Sequence, residues 1–317
     1  MGVSLSKRRR ITSVIPTMNK YFIYNWNSVL DEVIAKFKKE GKLVKTWQEA
    51  DKIVLWCESG LYDWKDRIEQ AQKTGKEVIL YQQGIWAFEW VKPPFNEGII
   101  SNKALVWGEG DKKRMIKYGV PAEKIKVVGC PIYKHLKPRV EHEGKNVVFA
   151  LEHWDIEDVV ENQIVAAELR KLEGVKIITK GLMNENITFI YDNPVESGRS
   201  LGKSHFEIVA DVLSKADLVV GLSESTFQFL AECLDIPVIV VDLWIPKTRG
   251  RDDRYLNFKN EFSNAITKVK LQDLNKEIYR QLKHPEILRK ERSEAVIENG
   301  GINIDNPVER ICQEIES

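Results

Sequence analysis

The sequence predicts two doubly wound α/β domains facing each other across a cleft. Three observations carry this. Short apolar runs alternate with amphipathic stretches, the spacing of parallel strands joined by crossover helices. A polar stretch without apolar period, "KHLKPRVEHEG" (Lys134–Gly144), interrupts the rhythm, and the same alternation then restarts. Finally, the chain has 317 residues, 43% of them apolar, enough for each half to bury its own core.

In order, "KIVLWCE" (Lys52–Glu58) reads as a strand. Asp63–Thr74 has helical spacing and stops at Gly75, and "EVILY" (Glu77–Tyr81) is the next strand. Ala104–Trp107 is a strand, followed by a helix over Asp111–Tyr118 that ends at Gly119 with Pro121 beyond it, a regular stop signal. Lys124–Val128 completes the first run. After the linker, Asn146–Ala150, Val175–Thr179, Ile187–Tyr191, Leu218–Val220 and Val238–Val241 read as strands. Helices are expected over Ile156–Glu173 and Ser204–Ser214, the second opened by a capping box of Ser204 and Glu207. Helical sequence dominates from Leu271 onward. The domains are therefore placed at 1–137 and 145–317, with the last helix free to pack back on the first.

Lys plus Arg is 48 and Asp plus Glu is 47, a net charge of +1, so no global field favours nucleic acid or an acidic membrane. The basic run Lys7–Arg10 reads as a solvated terminus. Four cysteines, Cys57, Cys130, Cys233 and Cys312, form no C-x-x-C pair; all but Cys312 sit in apolar surroundings, as free thiols in a reducing compartment. No apolar run has the length of a membrane span and no leader is evident, so a cytoplasmic protein is expected.

The most informative stretch is "VVGLSESTFQFLAECLDIPVIVVD" (Val219–Asp242), a strand, a polar break, a short helix and a strand. Ligands bind beyond the carboxyl ends of parallel strands, where helices begin. The first helical amides lack partners and carry partial positive charge, so Ser223, Ser225 and Thr226 can cap the helix or accompany phosphate oxygens. Glu232 follows Glu224 by eight residues, about 12 Å along a helix and about 80° around it, which lets both border one cleft. A carboxylate suits a vicinal diol.

Glu224-(seven residues)-Glu232 resembles the E-x7-E segment of two-domain glycosyltransferases of the GT-B fold. It also resembles the corresponding segments of UDP-N-acetylglucosamine 2-epimerases and CDP-glycerol glycerophosphotransferases. "ALVWGEGDKKRMIKYGVPAEKIKVVGCPIYKHL" (Ala104–Leu136) is similar to the end of their N-terminal Rossmann-like domain, and "AVIENGGINIDNPVERICQEI" (Ala295–Ile315) to their terminal segment. The resemblance implies a nucleotide-sugar donor, such as a UDP-sugar, as co-substrate rather than a cofactor. Ser225 and Thr226, with the backbone there, would hold the diphosphate, Glu232 the ribose hydroxyls, and Glu224 the donor sugar, with Ser223 a further donor-binding candidate. Lys180, otherwise a strand-end lysine expected in solvent, would face the diphosphate. The charge of a departing diphosphate needs cations, and Arg199 or Lys203 is available to assist. His153, just after a strand, would contact the donor or cap a helix.

The sequence also departs from these families. "YQQG" (Tyr81–Gly84) stands where the glycerophosphotransferases carry His-Gly, and glutamine is no general base, so Gln82 or Gln83 is left to orient an acceptor. Glu58 and then Glu89 are the candidate bases. Lys180 is followed by Gly181, not His-Pro, and the Gly-Arg-Pro-Glu motif of the epimerases is absent, against 2-epimerisation. No Asp-x-Asp cluster implies a divalent ion.

"GRSLGKS" (Gly198–Ser204) has three residues between its glycines rather than four, which removes an ATPase reading, and "GEG" (Gly108–Gly110) lacks the third glycine of a dinucleotide loop. Trp86, Phe88 and Trp90 offer a core cluster, a lid or a stacking surface. The expected function is metal-independent sugar transfer to an unidentified hydroxyl acceptor: a glycan, a lipid-linked acceptor or a modified DNA base. Three alternatives stay open. One is a DNA-modifying glycosyltransferase, which near-zero net charge disfavours. The others are a non-catalytic sugar-nucleotide-binding protein and a 2-epimerase, the last without its motif.

Overall fold

A computed structural model describes residues 19–25, 28–56, 64–84, 99–117, 119–151, 156–181, 205–222, 225–243 and 264–317. The described strands form two five-stranded, all-parallel sheets. The first comprises β1 (Tyr21–Ile23), β2 (Lys52–Leu55), β3 (Glu77–Tyr81), β4 (Lys103–Val106) and β5 (Ile125–Val127), side by side in chain order. The second comprises β6 (Lys145–Ala150), β7 (Val175–Lys180), β8 (Leu218–Gly221), β9 (Val238–Asp242) and β10 (Thr267–Lys270), in the order β10-β9-β8-β6-β7. From β6 the chain steps outward to β7, then crosses back to β8 on the other side. Its switch point therefore lies between β6 and β8, where parallel sheets open a crevice beyond their carboxyl ends.

The described α-helices are α1 (Asp31–Lys39), α2 (Trp64–Lys73), α3 (Glu109–Lys117), α4 (Ile156–Leu169), α5 (His205–Leu213), α6 (Thr226–Cys233), α7 (Leu274–Lys283), α8 (Arg289–Gly300) and α9 (Pro307–Glu316). Their apolar faces turn inward: Val33 and Phe37 on α1, and Ile311, Cys312 and Ile315 on α9, are fully inside. Among the described residues, no helix is long and apolar enough to cross a membrane.

Residues 136–144 form neither helix nor strand and are pinned to the second sheet's lobe, with Val140 N donating to Ser214 O (2.7 Å) and Arg139 paired with Asp217 (2.6 Å). The C-terminal helix returns to the first lobe. Lys36 of α1 pairs with Glu309 (2.6 Å), and Lys103 Nζ donates to Glu314 O (2.7 Å). A single apolar cluster runs through both lobes, including Tyr81, Leu105, Trp107 and Val128 of the first and Val148, Val219, Phe227 and Phe229 of the second.

One expectation needs correction. Cys312 is fully buried in that shared cluster. Arg310, Gln313 and Glu314 around it in sequence are polar, but the helical period puts Cys312 on one face with Val308 and Ile315, which pack in the same cluster, and burial pushes the thiol up to about 11. Cys130 is likewise buried, and Cys130, Cys233 and Cys312 are free thiols. Helix α6 starts at Thr226, with Ser225 as its N-cap; Glu224, the other member of the expected pair with Glu232, lies outside the described residues. The expected strand Ile187–Tyr191 lies outside the described residues.

Candidate functional site

Beyond the carboxyl ends of β6, β7 and β8, the chain brings one helix start and one cation together. Ser225 has extended backbone (φ −139°, ψ 173°), and its Oγ accepts from Phe227 N at 3.3 Å while donating to Gln228 Oε1. This cap satisfies one amide of the first turn and leaves the end of the helix positive. Gln228 is buried beneath it.

Lys180 ends β7, paired with Ala150 of β6. It is not the solvated strand-end lysine that its polarity suggests: only 7% of it is exposed. Its Nζ lies 5.5 Å from the centroid of the Phe227 ring, in the first turn of α6. Desolvation by burial pushes the ammonium down to about 8. Among the described residues no carboxylate pairs with it. A buried cation beside a positive helix end is a place where an anion lowers the energy of both.

Glu232 lies two turns along the same helix, 5% exposed. The sequence-predicted residues Ser223, Glu224, His153 and Arg199, and the candidate bases Glu58 and Glu89, lie outside the described residues.

The opposite wall comes from the first lobe. At Gly84 there is no room for a side chain: a Cβ would stand 2.6 Å from Thr226 Oγ1. Thus the turn after β3 meets the start of α6, and Gln83 lies in that turn. Gln82 is corrected from an acceptor-orienting candidate to an internal tie. Wholly buried, its Oε1 accepts from Trp107 N (2.6 Å), and its Nε2 donates to Asp111 Oδ2 (2.7 Å) and Gly84 O (3.1 Å). Sequence reasoning missed Asp111. It is buried, and desolvation raises its carboxyl to about 6 against the opposing pull of Arg114 and Gln82.

The Gly84–Thr226 approach has a direct consequence. Gly84→Ala is expected to cost about 1–2 kcal/mol of stability through overpacking. Adding Thr226→Ala, which removes the oxygen in the way, returns most of it. Melting temperatures of the two single variants and the double variant give the coupling. Additive losses would mean that the two walls do not touch.

The two lobes, each a Rossmann-like parallel sheet, with the second lobe's helix start facing a turn of the first, define a GT-B architecture. Solved structures bear this out. The chain is similar to the Wall Teichoic Acid Polymerase TagF, at 14% identity and TM-score 0.58, over 93% of this chain and 87% of that one. A variant of TagF soaked with CDPG gives 14% identity and TM-score 0.57, over 93% and 86%. A co-structure of S. aureus MnaA with UDP gives 12% identity and TM-score 0.53, over 91% of this chain and 78% of that one. At these identities the likeness is one of fold. No protein-family model and no curated protein sequence matches the chain.

Proposed function

We propose that the protein is a glycosyltransferase that moves a sugar from a nucleotide-sugar donor to a hydroxyl acceptor. In the transfer, the acceptor oxygen bonds to the sugar's anomeric carbon as the bond from that carbon to the diphosphate breaks. The acceptor's proton goes to a base, and a nucleoside diphosphate leaves with the electron pair. That departing charge needs fixed dipoles and cations at hand. The observation that carries the reading is Lys180, buried, with its ammonium over the first turn of α6. Ser225, Thr226 and the amides of that turn hold the diphosphate, and Lys180 neutralises it. Glu232, about 9 Å of helix beyond Thr226, takes the ribose hydroxyls. Gln83, in the facing turn, orients the acceptor.

Two of the similar structures support the choice of ligand: one is named as holding UDP and one as soaked with CDPG. The helix start and Lys180 supply the positive charge without a metal ion in the role. Glu58 and Glu89 remain the candidates for the base, Glu224 for the donor sugar, and Ser223, Arg199 and His153 for further donor contacts.

A thermal-shift series tests this. UDP or a UDP-sugar at a hundred times its dissociation constant stabilises by about 2.7 kcal/mol, whereas uridine, lacking the diphosphate, gives little. Absence of a response to every nucleoside diphosphate and nucleotide-sugar would remove the donor site and the function with it.

A further inference from the structure

We propose that Gln82 and Asp111 are positioning residues: they hold the Gln82–Gly84 turn against the start of α6, and Arg114 and Asn299 tie that turn to α8, the helix that passes between the lobes. This deepens the donor-site reading, because the turn is one wall of that site.

The argument begins with hydrogen-bonding capacity. Gln82 uses both amide hydrogens and its oxygen within the protein, on Asp111, Gly84 and Trp107. Asp111 divides its two oxygens. Oδ2 accepts from Gln82 at 2.7 Å, and Oδ1 accepts from Arg114 Nη2 at 2.6 Å. Arg114 Nη2 also donates to Asn299 Oδ1 of α8 at 3.1 Å. Asn299 is held close because Gly108 and Gly110 admit no side chain at that seam: a Cβ at Gly110 would overlap Asn299 Oδ1. One residue on, Gly300 lies under the Phe229 ring of α6, with no space for a Cβ. The contacts thus close a circuit from α8 through α3 to the turn after β3, across to Thr226, and back through Phe229 to α8.

Each link has little slack. Gln82 is 0% and Asp111 2% exposed, and unpaired polar groups at such depth are costly. The other groups facing Asp111 do not compete for it. The Cys130 thiol is pushed up to about 12, chiefly by burial, and Glu298 of α8 is paired with Lys113 at 2.8 Å. Burial raises the Asp111 carboxyl only to about 6, so at neutral pH it is ionised and both oxygens accept. Protonation would leave one acceptor for two donors, as an amide would.

The test exchanges the polarity of the pair. In Asp111→Asn, one oxygen must serve both Gln82 and Arg114. In Gln82→Glu, two carboxylates face each other. In the double variant, the new asparagine can donate through its Nδ2 to the new glutamate and accept from Arg114 through its oxygen. The glutamate still accepts from Trp107 N. The bond to Gly84 O alone has no replacement. The expected result is that each single variant lowers the melting temperature and the double variant recovers most of it. In the double variant, amide exchange in the turn at positions 82–84 and in the first turn of α6 stays at least tenfold faster than in the wild type, and the dissociation constant for UDP stays at least fivefold weaker.

If the double variant recovers slow exchange together with melting temperature, the pair is structural only and the proposal falls. It also falls if the melting temperature is not recovered, since the polarity assignment is then wrong. Exchange is read on the ligand-free protein. Failure of the wild type to bind UDP would therefore end the donor-site reading while the positioning role is still decided.

Discussion

Lys180→Met is expected to raise the melting temperature of the ligand-free protein while weakening UDP binding about 100-fold. The stability gain follows from where the ammonium sits. Burial has pushed it from 10.5 to about 8, and a displacement of that size corresponds to about 3 kcal/mol of unfavourable charge burial, as an upper bound. The Phe227 ring at 5.5 Å offsets part of this. Methionine keeps the length and removes the charge. The affinity loss follows from the same charge, since a hydrogen bond to an ionised partner contributes about 1.5–3 kcal/mol. A pH series separates the two effects. Between about 8 and 10.5 the unfolded chain keeps a proton on Lys180 that the folded chain gives up. Wild-type stability therefore rises across that window from this group, and in Lys180→Met the rise is absent. UDP, which prefers the protonated lysine, binds more weakly as pH increases through about 8, and the variant lacks that step. A less stable variant with unchanged UDP affinity would show that Lys180 answers a structural carboxylate instead of a ligand.

That residue also shows where reading the sequence stops. The alternation of apolar runs with amphipathic stretches places most of the strands, and β3 has the predicted bounds, Glu77–Tyr81. Local periodicity is a property of the chain itself. What it passes over are weakly patterned elements: the three-residue β1, the short charged α1, and β10, whose Thr267–Lys270 alternates half-buried and exposed residues at a sheet edge. Strand order is not local either. The switch point between β6 and β8 exists only once β7 has been laid on the outside. The polar break before α6 was legible because serine and threonine at a helix start have a local reason to be there. Lys180 was not legible as buried, because the Phe227 ring over which it lies is far away in sequence, beyond β8. The same holds for Gln82, whose partners Trp107 and Asp111 belong to another strand end and the following helix. The paired glycines of "GEG" and "NGG" do hint at close approach, but which backbone approaches which emerges only from the packed structure.

Those glycines set the second large effect: Gly108→Ala is expected to cost about 3 kcal/mol, near the upper end for overpacking. A Cβ at Gly108 would overlap the Glu298 carbonyl oxygen and stand 2.6 Å from the carbonyl carbon of Asn299. Both are backbone atoms of α8, so no rotamer change relieves the clash. The helix itself must withdraw. It is held where it is from several sides. Cys130 N donates to Gly300 O at 2.8 Å, and Gly301 lies against the Trp107 carbonyl. Arg292 of the same helix, itself buried, donates to Asp235 at 2.6 Å. Withdrawal of α8 therefore strains the Phe229–Gly300 contact and the Trp107–Phe229 ring pair, now 6.2 Å apart, which spans the lobes. Gly75→Ala is the control. Gly75 has φ +80° with nothing within 4 Å, so alanine there meets only backbone strain, about 1 kcal/mol. Urea unfolding of the two variants gives the comparison. Equal costs would mean that α8 is not seated on the first lobe, and the circuit that sets the cleft would have no fixed point.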